Sequence, residues 1–290
     1  MCFTKFLTIT IFTFVFSSVC IADINVTDDI GHTVSLKKPA KRIISLSPGM
    51  TELIFAAGGG EYIKGVVSYS DFPETAKAIP QIGSYNAIDL ERIVSLAPDL
   101  VIAWESGNPP LQISKLKSLG LTVYMSEPRD FADIPATLIR LGKLMGTEHI
   151  SSKRVTDFNF HLKNIESKYY GKFKEKSVFI QIWNKPVMSV NGQHLISKII
   201  ERCNGKNVFH DYSKLTLSPD VETVLSKNPE VIIVSRQGPL GESWLNRWKT
   251  WSFLNAVKND QLYTANPDNL VRHTPRILDG MEEVCKLINK

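Results

Sequence analysis

Asp89-Leu-Glu-Arg-Ile-Val-Ser-Leu-Ala-Pro-Asp-Leu-Val-Ile-Ala103 recurs later in the chain, without a gap, as Asp220-Val-Glu-Thr-Val-Leu-Ser-Lys-Asn-Pro-Glu-Val-Ile-Ile-Val234. Asp89/Asp220, Glu91/Glu222, Ser95/Ser226, Pro98/Pro229 and Ile102/Ile233 are identical, and most other pairs are conservative. In each copy the apolar residues (Leu90, Ile93 and Val94, or Val221, Val224 and Leu225) fall at helical spacing on one face. A proline then stops the helix, and a run of branched apolar residues follows that reads as a buried strand. Copies this far apart do not belong to a tandem solenoid, whose units recur at short intervals. They predict two similar lobes.

Outward from the first copy, residues 24–26 and 33–36 flank the turn formers Asp28 to Gly31 and read as a small edge hairpin. Residues 42–47, 64–68 and 122–125 read as strands, with helices at 51–55, closed by Gly58, and at 111–119, closed by Gly120. Asp133-Ile-Pro135 opens a helix that Gly146 ends. Thr147-Glu148 then starts a long, polar-rich helix that runs to Tyr170 and stops at Gly171. Around the second copy, 177–182 and 261–265 read as strands, and 195–203 and 274–289 as helices. Trp244, Trp248 and Trp251 form a helical stripe that suits packing against the lobe better than a ligand-lining role. Strands alternating with helices at this rhythm predict βαβ units. The expected architecture is α/β, with two Rossmann-like lobes of mainly parallel sheets, one long spine helix and a ligand cleft between the lobes. The expected segments are a signal peptide at 1–22, an N-terminal lobe at 23–146, the spine at 147–171 and a C-terminal lobe at 172–290.

The signal-peptide expectation rests on Lys5, an apolar run at 6–16 too short to span a bilayer, and the small residues Ser17, Ser18, Cys20 and Ala22. Cleavage is best placed after Ala22. Lipidation of Cys20 is the alternative, and Ser17-Ser18-Val19 fits a lipobox poorly. The 290 residues are 43% hydrophobic and 22% charged, an ordinary globular composition. Removing Lys5 with the leader lowers the formal charge from +5 to +4, and no basic cluster argues for nucleic acid or a membrane surface. In an exported chain Cys203 and Cys285 read as a disulfide, with two buried thiols as the alternative.

Signatures of chemistry are missing. The chain has no GxSxG, HExxH, P-loop or strand-following GxGxxG, and offers no nucleophile–base pair, so an enzyme is not expected. Its six histidines are scattered without metal-ligand spacing. What stands out is aromatic residues at strand ends: Tyr69, Phe72, Tyr85, Trp104 and Trp183. In open α/β sheets ligands sit beyond the carboxyl ends of strands, and flat aromatic faces there suit a large, partly apolar, planar ligand.

Arg42-Ile-Ile-Ser-Leu-Ser-Pro48 with Thr51-Glu52, Ser68-Tyr-Ser-Asp-Phe-Pro73, the stretch from Leu90 to Trp104, Cys203-Asn-Gly-Lys-Asn-Val-Phe209 and Arg272-His-Thr-Pro-Arg276 together resemble one family. It is the helix-spined substrate-binding proteins of ABC importers, and within it the periplasmic vitamin B12 binders. The resemblance covers essentially the whole chain after residue 22. It implies a periplasmic, monomeric protein without cofactor or bound metal, which carries cobalamin or a related corrinoid to an inner-membrane permease dimer. Ligand contacts would fall on Tyr69, Tyr85, Trp104 and the segment Asp268, Asn269, Leu270, Val271 and Arg272. Trp183 joins them as the strand-end aromatic of the second lobe. The family's docking carboxylates match Glu91 and Glu222, and its disulfide matches Cys203–Cys285. The chain departs from the pattern at Tyr85, where the family has tryptophan, at Asn269-Leu270, which replaces an aromatic pair, and near Thr216. A haem or siderophore receptor of the same fold is the alternative, with Tyr69 and His273 as candidate axial ligands. A carboxylate in a first helical turn is also stabilised by the helix dipole, which is the plainer reading of Glu91 and Glu222.

Overall fold

The computed structural model describes residues 23–236 and 238–290, so the expected signal peptide and Cys20 lie outside the described residues. The chain begins with β1 (Ile24–Thr27) and β2 (Thr33–Leu36), an antiparallel hairpin. There follow β3 (Ile43–Ser45), α1 (Pro48–Ala56), β4 (Ile63–Val66), β5 (Gly83–Ser84), β6 (Ala87–Ile88), α2 (Leu90–Ser95), β7 (Leu100–Trp104), α3 (Pro110–Ser118) and β8 (Val123–Ser126). Next come α4 (Asp133–Met145) and the long α5 (Glu148–Tyr169). The second half holds β9 (Lys176–Gln181), β10 (Ser189–Val190), α6 (Leu195–Arg202), β11 (Gly205–Asn207), β12 (Thr216–Leu217), α7 (Val221–Lys227) and β13 (Val231–Val234). It closes with α8 (Gly238–Lys249), α9 (Asn255–Lys258), β14 (Leu262–Thr264), α10 (Pro267–Val271) and α11 (Ile277–Ile288).

The two copies of the repeat occupy the same place in two sheets. The first sheet runs β4-β3-β7-β8 and the second β11-β9-β13-β14, every pair parallel. The strand after each repeat helix is thus third in its lobe's order and lies beside the first. The acidic residue after each proline has a job there. Asp99 Oδ2 accepts the backbone N–H groups of Lys41 and Arg42 at 2.8 and 3.0 Å. Its counterpart Glu230 Oε2 accepts the Ser177 N–H at 2.7 Å and its hydroxyl at 3.0 Å. Each carboxylate therefore pins the start of the neighbouring strand by charge-assisted hydrogen bonds.

The residues two places before those acids also correspond: Ala97 has φ 44° and Asn228 φ 43°. Left-handed backbone costs an alanine roughly 1–2 kcal/mol, whereas asparagine visits it routinely. Ala97→Asn is therefore expected to raise the unfolding free energy by about 1 kcal/mol, read from urea denaturation midpoints. An unchanged midpoint would show that the alanine Cβ is not strained at this turn.

Some element boundaries differ from the sequence expectation. Helix α1 begins at Pro48 rather than Thr51, because Ser47 is its N-cap and accepts from Met50 N at 3.1 Å while proline suits the first turn. Helix α11 begins at Ile277 rather than Thr274, whose hydroxyl instead donates to Glu52 Oε2 at 2.9 Å. Two-stranded pairs β5–β6 and β10–β12 and the short α10 were not anticipated; each is too short to show periodicity. Trp251 lies beyond the end of α8, and Trp248 is fully buried edge-on to Phe179, with its indole N–H donating to Gln181 at 2.8 Å. The tryptophan stripe is packing.

At 22 residues α5 is about 33 Å long. One apolar cluster runs from Ile43 and Leu138 in the first half, through Phe158, Ile165 and Tyr169 of α5, to Val178, Ile199 and Met281 in the second. Two further clusters cover the outer faces of the sheets, one around Ile44 and Ile93 and one around Phe179 and Trp248. The Cys203–Cys285 disulfide ties the end of α6 to α11 across a sequence separation of 82 residues. A crosslink over such a loop stabilises by a few kcal/mol.

Candidate functional site

In each sheet the chain leaves the central pair of strands in opposite directions, and the loops that diverge there open a crevice. Residues just past β3, β4, β7, β8 and β9 converge on it: Ser47 to Met50, Tyr69, Trp104 with Ser106, Glu127 to Arg129, and Ile182. The facing wall comes from Gln193 to Ile196 at the start of α6, Leu215 and Thr216, and Val271 to His273. The cavity measures about 420 Å³ and opens into about 1380 Å³ once the space shared with solvent is counted.

Tyr85 and Trp104 meet on its wall with ring centroids 5.9 Å apart, tilted by 52°. A residue the sequence did not flag sets their positions. Buried Asn108 accepts the Trp104 N–H at 2.7 Å and donates from Nδ2 to the carbonyls of Tyr85, at 2.8 Å, and Leu46, at 2.9 Å. One amide thus ties three cleft loops together. Gly107 must lack a side chain, since a Cβ there would lie 1.9 Å from the Trp104 ring. Tyr69 is 77% exposed and held at φ 66°, a strained conformation for a non-glycine residue that clusters at ligand sites.

The other expected contacts are distributed unevenly. Val271 and Arg272 line the cleft. Asp268 sits behind Arg272 and pairs with its Nη2 at 3.0 Å. Asn269 lies between them on α10 and is not among the lining residues, and Leu270 is fully buried in the core. Trp183 is 56% exposed, outside the lining, with its indole N–H donating to the Lys185 carbonyl at 3.2 Å; its neighbour Ile182 lines the cleft instead.

Arg272 is also the hub between lobes. Its Nη1 donates to Glu52 Oε1 at 3.0 Å and to Asp71 Oδ1 at 2.7 Å. Burial works against its charge, and the bonds to Asp71 and Glu52 outweigh it, raising its pKa. Glu52 takes the Thr274 hydroxyl on its other oxygen, and burial pushes its carboxyl up in spite of these partners. Lys198 with Asp130, and Arg202 over the Phe131 ring at 4.5 Å, make further links across the cleft's edge.

Two histidines line the same wall, with ring centroids 5.3 Å apart. His194 caps α6, its Nδ1 accepting from Ile196 N at 3.1 Å, so its proton sits on Nε2. His273 Nδ1 lies 2.7 Å from the Pro128 carbonyl, which can only accept, so that nitrogen carries the proton and Nε2 is the bare one. Burial lowers both pKa values, that of His194 to about 3. Folded His194 gains its proton near pH 3 and an unperturbed one near 6.5, so the unfolded chain binds the extra proton in between. Stability is therefore lost as pH falls from 6.5 toward 3, by about 1.4 kcal/mol per unit for one such group. His194→Asn keeps a capping acceptor that does not titrate, and is expected to flatten that loss between pH 6.5 and 4 in urea unfolding. Equal slopes in variant and parent would refute the assignment.

Glu91 and Glu222 are exposed, each in the first turn of its repeat helix behind the N-caps Asp89 and Asp220. Among the described residues no group of three or more His, Cys, Asp or Glu side chains is placed to hold a metal ion, and no helix is long and apolar enough to cross a membrane.

The chain is similar to known proteins over most of its length. It is 35% identical over 248 residues to the vitamin B12-binding protein of Vibrio cholerae, covering 85% of this chain and 88% of that one. The crystal structure of the periplasmic vitamin B12-binding protein BtuF of Vibrio cholerae matches with a TM-score of 0.80, covering 86% of this chain and 97% of that chain at 35% identity. A periplasmic haem-binding protein from Roseiflexus sp. RS-1 shares the fold, with a TM-score of 0.77 over 86% of this chain and 98% of that chain at 20% identity. The model of the periplasmic binding protein family matches residues 43–269, and the chain belongs to that family.

Proposed function

We propose that this protein captures cobalamin or a related corrinoid and delivers it to an ABC import permease. The observation that carries this reading is the Tyr85–Trp104 pair set by Asn108 in a cleft between two like lobes, in a chain 35% identical to a vitamin B12 binder. Aromatic faces offer area to a corrin at low entropic cost, and Arg272, Ser106 and the His194 Nε2–H supply polar contacts at its rim. The protein binds and releases without making or breaking a bond. It acts as a monomer in the periplasm after residues 1–22 are removed, presenting Glu91 and Glu222 to the permease. The apolar cluster that runs through α5 favours small lobe movements, so release falls to the permease.

Haem is the second reading, favoured by one observation: the bare Nε2 of cleft-lining His273 is a free axial base. Separate titrations of the purified protein with cyanocobalamin and haemin, by calorimetry and visible absorbance, decide between them. Saturable one-to-one binding of cyanocobalamin is expected; a shifted Soret band with haemin and no cyanocobalamin heat would replace the corrinoid reading.

Tyr69 gives a sharper test. Tyr69→Gly relieves a left-handed backbone and is expected to raise stability by roughly 1 kcal/mol. The same change removes an exposed aromatic contact and is expected to weaken cyanocobalamin binding by about tenfold or more, as for a residue at the centre of a binding site. A variant with unchanged affinity would take Tyr69 out of the ligand set.

A further inference from the structure

A second cavity, of about 420 Å³, lies between α1, α5 and the segment leading into α11. Glu52 lines this cavity and not the cleft, whereas its partner Arg272 lines the cleft and not this cavity. The Glu52–Arg272 ion pair thus has one end in each space, and the second space is walled by both lobes and the spine.

Its chemistry is not that of a solvent gap. Arg276 lies with its guanidinium carbon 4.0 Å above the Phe72 ring, which fixes the plane of the group. Its nearest carboxylate oxygen, Glu52 Oε2, is 3.6 Å away and already holds the Thr274 hydroxyl. The Arg276 Nε is buried without a hydrogen-bond acceptor among the described residues. Arg154, projecting from α5 into the same cavity, forms no ion pair among the described residues. Phe55 and Phe158 supply an apolar floor beside the two guanidinium groups. Asp157 and Asp279 stand at the rim, exposed and solvated, so they compete weakly for those groups.

We infer that this hinge cavity is a binding site for a small organic anion, with a carboxylate or phosphate gripped by Arg276 and Arg154 and an apolar body against the phenylalanines. The site is independent of what fills the cleft. An occupant touches α1, α5 and the 274–279 segment at once, so it would stiffen the joint between lobes.

The test uses the purified protein with sodium benzoate as probe, benzylamine as the cationic counterpart and inorganic phosphate as the bare anion, each followed by thermal shift and calorimetry. Benzoate is expected to bind saturably, phosphate at least tenfold more weakly, and benzylamine not at all. Arg154→Gln, on the exposed face of the spine, is expected to fold normally and to weaken benzoate at least tenfold, as is Arg276→Gln. Absence of benzoate binding, equal binding of benzylamine, or full benzoate affinity in Arg154→Gln would each overturn the inference. None of these outcomes depends on corrinoid binding, which Arg154→Gln should leave unchanged.

Discussion

Glu52→Ala is expected to lower the unfolding free energy by about 3–5 kcal/mol, the cost of breaking a buried ion pair by removing one partner. Glu52 is 2% exposed as a side chain and meets Arg272, Thr274 and Arg276 from the other lobe. Truncation leaves two part-buried arginines with one fewer counter-charge. The intact network is not strongly stabilising in itself, since burial still pushes the Glu52 carboxyl up in the presence of its partners. A raised carboxyl means that the folded state holds its proton to higher pH than the unfolded chain. The contribution of Glu52 is thus greatest in acid and shrinks as pH rises through the folded value. Glu52→Gln, which keeps the shape and an acceptor oxygen, should cost less than Glu52→Ala. Glu52→Gln combined with Arg272→Gln should cost less than the sum of the two by 0.5–3 kcal/mol, as for groups in one network. Strict additivity in urea unfolding would show that the two side chains do not act together. Because Arg272 also lines the cleft, Glu52→Ala should weaken ligand binding without touching the ligand.

How much of this was legible beforehand follows from the range of each signal. The duplicated helix–proline–strand stretch carries its own periodicity, so two α/β lobes, the parallel strands and the long helix at 148–169 could be read from local sequence. Strand-end aromatics were legible for the same reason, and Tyr69, Tyr85 and Trp104 line one cleft. Contacts between residues far apart in sequence were not. Glu52 and Arg272 are separated by 220 positions, and Asn108 reaches across 62 to Leu46. A carboxylate at 52 directly before the apolar run 53–56 was a usable sign of a buried partner, since such a charge is kept only when paired. The neutral histidine cap at 194 had no such sign, because its role depends on a backbone N–H two residues on and on burial that only the tertiary fold supplies.

The other large effect concerns Glu91 and Glu222, proposed above to meet the permease. Alanine at both Glu91 and Glu222 is expected to weaken the complex with the reconstituted permease by roughly a thousandfold. Truncating one member of a desolvated interfacial charge pair costs about 2–5 kcal/mol, and each 1.4 kcal/mol is tenfold in affinity. The helix dipole offers a plainer reason for an acid in the first turn, worth only about 0.3–1 kcal/mol of stability. The N-caps argue against it as the whole reason. Asp89 and Asp220 already serve those helix starts, accepting from Arg92 N at 3.0 Å and Thr223 N at 2.7 Å. Glu91 and Glu222 are left exposed at corresponding sites of two sheets with the same strand order, which is the arrangement a two-fold permease would meet. That correspondence adds a sharper demand: the two single variants should lose affinity by similar factors, and both losses should shrink as salt rises. Cyanocobalamin affinity should stay at the parent value in all three variants, since neither glutamate lines the cleft. Undiminished docking of the double variant, or a loss confined to one glutamate, would leave the carboxylates as helix-start residues and remove the two-point attachment.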